Sequence, residues 1–209
     1  YEIAQCLVGS EMCIRDSIPT TTRLPPPAHP MCLTEESKRR YRQYLEDLAN
    51  DKSPSDEIFS NGGKDHAIVL YQILLKHTKN EVRIFCEGGI SEVWRDEGMH
   101  RSLIDYIEKE NSDGQRPSLH ILVEHDNPEA FEGIRGRENV HIRLVSEEGR
   151  SRIHRHFDND NCNFAVFDEE KYRYEYDKQT FKAYGSFNRP VIARTMIDLF
   201  DEVWALSVQ

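Results

Sequence analysis

Long apolar runs are absent from the 209 residues: none approaches the roughly 18 consecutive positions that a membrane-spanning helix needs. Glycine and proline are scarce too, at 11 and 9, which excludes fibrous and low-complexity classes. Cysteine is thin and scattered: Cys6, Cys13, Cys32, Cys86 and Cys162 form no C-x-x-C pair and make an odd total of 5. That pattern suggests neither a disulfide framework nor a thiolate zinc site, and it fits a reducing, cytoplasmic setting. Positive charge is outnumbered, with 27 Lys plus Arg against 37 Asp plus Glu, so the surface as a whole is not built to hold nucleic acid by neutralising phosphates. A local basic patch stays open. What remains, 38% hydrophobic and 31% charged residues, is the composition of one soluble globular domain, or of one domain with a tail.

Residues 1–30 keep no helical or strand period and close on Pro25-Pro26-Pro27-Ala28-His29-Pro30, so they are expected to stay out of the core. Residues 1–17, through the string Leu7-Val8-Gly9-Ser10-Glu11-Met12-Cys13-Ile14-Arg15-Asp16-Ser17, resemble the translated remnant of a sequencing-library adapter in metagenomic gene predictions. No basic region leads into an apolar stretch with a small-residue cleavage site, which argues against a targeting peptide. Met31 is then the expected start. The organisation read from the chain is a disordered or artefactual leader over 1–30, a helix and linker over 31–60, and a folded domain over 61–209.

From Thr34 the pattern is helical: Thr34-Glu35-Glu36-Ser37 supplies a cap with acids in the first turn, and Tyr41, Tyr44, Leu45 and Leu48 recur at i, i+3, i+4 and i+7. Gly62-Gly63-Lys64-Asp65 leads into a second helix carrying Ile68, Leu70, Tyr71, Leu74 and Leu75. A strand over 82–86, a helix over about 98–109 and strands over 119–123 and 140–145 follow. This alternation implies parallel pairing with right-handed crossovers. The end of the chain reads as a meander, with strands over 164–167, 171–177 and 180–184, and then a long helix over 190–207 opened by Pro190. Ile192, Met196, Leu199, Phe200, Val203 and Trp204 make its apolar stripe, expected to pack on the sheet.

The window richest in chemistry is Asn161-Cys162-Asn163-Phe164-Ala165-Val166-Phe167-Asp168, followed after a hairpin by Gly185-Ser186-Phe187-Asn188. It resembles the phospholipase D-like family, in which H-x-K-x-x-x-x-D precedes a G-S-x-N element. The spacing to Asp168 is kept, Gly185, Ser186 and Asn188 match, and Asn161 and Asn163 stand at the His and Lys positions. The order of elements from residue 61 onward, and the closing Phe200-Asp201-Glu202-Val203-Trp204 helix, are similar to that fold as well. The hairpin over 172–182 lengthens the family spacing.

The resemblance implies a phospholipase D-like layered α/β domain with a mixed β-sheet flanked by helices. It also implies that a His at position 161 would take up a phosphoryl group and a Lys at 163 would hold the phosphate oxygens. An amide does neither: it is not a nucleophile that forms a stable phospho-intermediate, and it carries no charge to stabilise a transferring phosphoryl group. What the resemblance leaves is binding, with Asn161, Asn163, Asp168, Ser186 and Asn188 as the ligand-binding set. These residue types also close turns and satisfy strand ends without any ligand.

An alternative catalytic or metal set lies just upstream, where His154, His156, Asp158 and Asp160 stand on one side of a segment read as extended. Imidazole and carboxylate together suit zinc or manganese. Arg150, Arg152 and Arg155 beside these histidines, and Tyr172, Tyr174 and Tyr176 alternating with Lys171 and Arg173, offer phosphate and base contacts. The same tyrosines also read as one face of a half-buried strand.

The expected function is a catalytically lapsed phospholipase D-like domain acting in binding or assembly, with a phosphate-containing ligand or nucleic acid as the partner class and no cofactor. The alternative is an active phosphodiesterase or nuclease using His154 or His156. A third reading is a plain interaction domain. Single-copy members of the family pair so that two motifs face each other, which implies a homodimer. Because residues 1–30 have no periodic apolar content, a chain starting at Met31 is expected to melt at the same temperature as the full chain. Thermal unfolding of the two forms, compared side by side, measures this.

Overall fold

Apolar residues at helical spacing become helices packed on a central sheet in the computed structural model, which describes residues 34–50, 56–87, 92–111, 114–127, 129 and 131–207. The expected leader over 1–30 lies outside the described residues. Helix α1 (Glu35–Asn50) is followed by β1 (Phe59–Asn61), α2 (Lys64–Lys76), β2 (Glu81–Cys86), α3 (Glu97–Glu108), β3 (Ser118–Val123) and β4 (Val140–Leu144). Then come α4 (Glu147–Phe157), β5 (Asn163–Phe167), β6 (Lys171–Asp177), β7 (Lys182–Ser186) and α5 (Pro190–Leu206). Among the described residues no helix is long and apolar enough to cross a membrane.

The strands form one mixed sheet of 7 in the order β1-β7-β6-β5-β2-β3-β4. As the β-helix alternation implied, β2, β3 and β4 run parallel. The meander β5-β6-β7 is antiparallel throughout and pairs with the parallel part through β2 and β5. Helices α1, α2 and α3 cover one face, where Leu45, Leu70, Leu74, Met99, Leu103, Ala165 and Phe167 are buried together. Helices α4 and α5 cover the other, over Phe85, Leu122, Phe164, Val166, Ile153 and Phe200. The chain is thus an α/β three-layer domain with a mixed sheet flanked by helices.

Two elements escape the sequence pattern. Strand β1 is only 3 residues long, too short for a period, yet it pairs with β7 from Phe59↔Gly185 to Asn61↔Ala183. Residues on both sides of position 60 therefore share one sheet, and Leu45 of α1 is fully buried in the same core. The second is α4, which occupies the segment expected to be extended. Its Ser146 cap accepts from the Gly149 N–H at 3.0 Å, Glu147 and Glu148 fill the first turn, and His154, Arg155 and His156 fill the last. The Glu147 and Glu148 carboxylates and the Arg155 guanidinium complement the helix dipole. Only Gly149 and Ile153 of this helix are buried, so its apolar signal is too thin to show a period. Gly149 is needed where it stands, because a Cβ there would lie 2.8 Å from Val203 Cγ1 of α5.

Asp168 ends β5 in left-handed backbone, with φ of 52°, a region that asparagine and aspartate tolerate better than other side chains. Its carboxylate accepts from the Lys79 N–H (3.1 Å), the Asn80 N–H (2.9 Å) and the Glu81 N–H (3.2 Å). It thereby ties the β5–β6 turn to the start of β2. Asp168→Ala leaves these donors without their charged acceptor and is expected to cost about 2 kcal/mol of stability, read as a lower urea midpoint. Asp168→Asn, which keeps one acceptor oxygen, is expected to lose less.

Candidate functional site

Strand β2 is where the chain changes direction across the sheet: β3 and β4 extend to one side, and α4 carries the chain back to β5 on the other. In open α/β sheets, a ligand crevice forms outside the carboxyl ends of the strands at such a switch point. Asn161 and Asn163 lie at this end, since β5 starts where β2 stops: Phe85 is opposite Phe164 in the antiparallel register.

The alternation of β6 decides what surrounds them. Asn163 is opposite Glu175 on β6, Glu175 is opposite Ala183 on β7, and Ala183 is opposite Asn61 on β1. Residues paired in this way project from the same face, here the face covered by α2. Asn163 Nδ2 donates to Glu175 Oε1 at 2.7 Å. The other carboxylate oxygen of Glu175 meets Arg173 Nη1 at 2.7 Å. Arg173 is only 1% exposed. Its guanidinium sits 5.0 Å from the Tyr71 ring centroid and donates to the Phe181 carbonyl at 3.4 Å. Asn163 Oδ1, Arg173 Nε and both amide atoms of Asn61 are buried without a protein partner.

A second ion-pair cluster closes the same end. Glu124, immediately after β3, holds Lys178 Nζ of the β6–β7 hairpin at 2.6 Å. His154 Nε2 of α4 comes within 3.2 Å of its other oxygen, outside hydrogen-bond geometry. Asn161 donates from Nδ2 to Asp177 Oδ1 at 3.4 Å, and its N–H is held by Asn159 Oδ1 at 2.8 Å. Between the two asparagines, Cys162 is fully buried, and burial pushes its thiol up to about 12, with Lys178 opposing. It is therefore no thiolate nucleophile at neutral pH.

The remaining members of the ligand-binding set lie elsewhere. One chain reversal after β5 brings β6 back to Asn163, and a second takes β7 away again, so Ser186 pairs with Tyr172, and Tyr172 with Val166. Ser186 and Asp168 thus share the far end of the sheet, with β6 between them. Ser186 shares its face with Tyr172 under α5, opposite to the Asn163 face. Gly185 has a packing role: a Cβ there would lie 2.6 Å from Phe59 Cε2 and 2.9 Å from the Tyr172 carbonyl oxygen. Ser186 Oγ accepts from the Asn188 N–H at 3.2 Å, shaping the turn into α5. The five residues are not brought to one pocket.

The alternative set is also dispersed, because α4 is a helix: positions two apart project in widely different directions. His154 faces Glu124, whereas His156 has its ring centroid 5.0 Å from that of Phe157. Asp158 is the left-handed cap of the helix, and Asp160 follows in the next turn. Among the described residues no three His, Cys, Asp or Glu side chains are placed to hold a metal ion. The β6 tyrosines are packing residues: Tyr172 is buried, Tyr174 stacks on Phe157 at 4.7 Å, and Tyr176 stacks on Tyr184 at 4.9 Å.

Sequence reasoning missed Glu124, Glu175 and Lys178, and it read Arg173 only as a phosphate contact beside the β6 tyrosines. A signal was present in Lys171-Tyr172-Arg173-Tyr174-Glu175, where a strand between two others carries charge on one complete face.

No family model matches the chain, and no curated protein matches it. Among solved structures it is similar to TrmBL2, an archaeal chromatin protein described with a mode of DNA binding, at TM-score 0.49 and 11% identity over 97% of this chain. The chain spans 65% of the length of TrmBL2. It is similar to NucT from Helicobacter pylori at TM-score 0.47 and 12% identity, covering 73% of this chain and 99% of that one. Nuc from Salmonella typhimurium, a phospholipase D family member, gives TM-score 0.44 and 11% identity, covering 73% of this chain and 97% of that one.

Glu175→Ala strands a buried guanidinium and is expected to cost about 3–5 kcal/mol. The double replacement Arg173→Met with Glu175→Leu is expected to be near neutral, because it removes both charges together. Denaturant unfolding of the two variants separates a stabilising pair from one that only must not be broken.

Proposed function

We propose that this chain is a catalytically lapsed phospholipase D-like domain that acts by binding or assembly, in a cytoplasmic setting and as a homodimer. The observation that carries the reading is the 2.7 Å hydrogen bond from Asn163 Nδ2 to Glu175 Oε1. At the position where the family resemblance calls for a phosphate-holding cation, the side chain is neutral and committed to a buried network. Its neighbour Asn161 is likewise engaged with Asp177. Neither amide serves as a nucleophile for phosphoryl transfer.

A retained binding role is supported by the buried, unpartnered Asn163 Oδ1, Arg173 Nε and Asn61 amide, since such atoms cost about 1–3 kcal/mol each unless a polar group satisfies them. A phosphate-containing ligand or nucleic acid is the partner class. One observation favours the second reading, an active phosphodiesterase: His154 stands 3.2 Å from Glu124, and Lys178 stands 2.6 Å from the same carboxylate. There the imidazole, beside the Glu124 carboxylate, would be the nucleophile.

The purified chain is expected to hydrolyse neither phosphodiester lipids nor single- or double-stranded nucleic acid, with or without added zinc or manganese. Turnover that survives Asn161→Ala and disappears with His154→Ala would replace this reading by the phosphodiesterase. Without turnover, binding of an oligonucleotide that weakens with Asn163→Ala marks a retained site at this end of the sheet.

A further inference from the structure

The β4 edge of the sheet carries a second concentration of chemistry that shares no residue with the Asn163 end. Parallel register sets His120 of β3 opposite His141 of β4, and Arg143 follows His141 by two positions on the same face. Trp204 of α5 lies over them. The His120 ring stacks on it at 5.1 Å, and the Arg143 guanidinium sits 4.4 Å from its ring centroid. Arg143 Nη1 also donates to the Trp204 carbonyl at 3.0 Å. From the turn before β4, Arg135 completes a groove of about 570 Å3.

The charges in this groove are not balanced. Among the described residues no carboxylate pairs with Arg143 or His141. Glu81, the acid that reaches in from β2, is occupied by His120 Nδ1 at 2.9 Å and by Arg83 Nη1 at 2.7 Å. Arg83 in turn holds Asp201 of α5 at 3.0 Å. Arg135 pairs with Asp126 through Nη2 at 3.0 Å, but its Nε is buried and has no partner. Burial, and then the neighbouring His120 and Arg143 charges, hold the His141 imidazole below its ordinary pKa. An anion relieves this repulsion. The groove volume lies within the range that takes a small organic ligand, and the exposed imidazole of His141, 5.0 Å from that of His120, offers a planar surface beside the cations.

We propose that this groove binds a nucleotide-sized anion, with its phosphate on Arg143 and Arg135 and its planar ring against His141. The proposal stands apart from the lapsed-motif reading, because neither depends on the other's residues.

NMR of the full chain with three probes tests it: 5′-AMP, inorganic phosphate and adenosine. The chain has 2 tryptophans, and Trp94 is buried in the core against Tyr71 of α2 and Phe131, so the two indole N–H signals separate groove binding from a global change. AMP is expected to shift the Trp204 and His141 signals, leave Trp94 in place, and bind more tightly than phosphate or adenosine alone. Arg143→Gln removes a charge-assisted contact and is expected to weaken AMP binding about tenfold or more. Should Arg143→Gln disturb the Trp94 signal, His141→Gln, a change at an exposed side chain, carries the same test. The proposal is overturned if millimolar AMP moves neither groove signal, or if the folded variants bind AMP as the parent does. Adenosine binding as tightly as AMP overturns the phosphate contact, and phosphate binding as tightly as AMP overturns the ring contact. Loss of oligonucleotide binding in Asn163→Ala with AMP binding intact shows the two readings to be separate.

Discussion

The ion pair between Arg173 and Glu175 is the constraint on which the meander half of the sheet depends. A guanidinium that is 1% exposed is tolerable only with a near-complete set of partners, because desolvating an unpaired charge costs several kcal/mol or more. Here the partners come from three directions: Glu175 on the same strand, the Tyr71 ring of α2 from above, and the Phe181 carbonyl from the hairpin. The pair therefore specifies more than it stabilises. A slip of β6 by one residue would carry Arg173 and Glu175 to the α5 face and bring Tyr172 and Tyr174 under α2, leaving both sets without the partners that now surround them.

That register has a chemical consequence at the end of β5. With β6 fixed, the side chain at position 163 projects onto Glu175, whose second oxygen already belongs to Arg173. A neutral amide suits this place, since it donates one hydrogen bond to the carboxylate without adding charge. A lysine would set a second cation against the same carboxylate in a buried setting, where like charges are screened least. Asn163 and the Arg173–Glu175 pair are thus compatible with each other in a way that a Lys at 163 and the same pair are not.

The parts of this structure legible in the sequence are those where one local periodicity decides the outcome. Tyr41 and Leu45, Leu70 and Leu74, and the Pro190 helix follow from helical spacing, and the parallel pairing of β2, β3 and β4 follows from strand and helix alternation. Helix α4 was hidden because Ile153 and Phe157 are its only large apolar side chains, and its polar surface looks like loop. The Gly185-Ser186-Phe187-Asn188 element lies at the opposite end of the sheet from Asn161 and Asn163. Matching by spacing counts residues, whereas position in a sheet also depends on how many times the chain turns back, and the hairpin between β6 and β7 adds one reversal. Glu124 and Lys178 could not be paired from sequence, because their contact joins the end of β3 to a hairpin tip 54 positions away.

The two edges of chemistry on this sheet differ in how their charges are arranged, and that difference outweighs the composition of the chain. At the Asn163 end, Arg173 and Lys178 each have a buried carboxylate at close range, so a ligand there is met by amide and unpartnered polar atoms rather than by free charge. At the β4 edge, Arg143 is held by a ring face and a carbonyl rather than by a carboxylate, which fixes its position without neutralising it. The formal charge of -10 does not reverse this. Charges farther than a Debye length, about 8–10 Å at physiological ionic strength, are largely screened at the surface, so a groove responds to the groups that line it. A chain acidic overall can thus present a cationic surface wherever aromatic and backbone partners, instead of acids, hold its arginines.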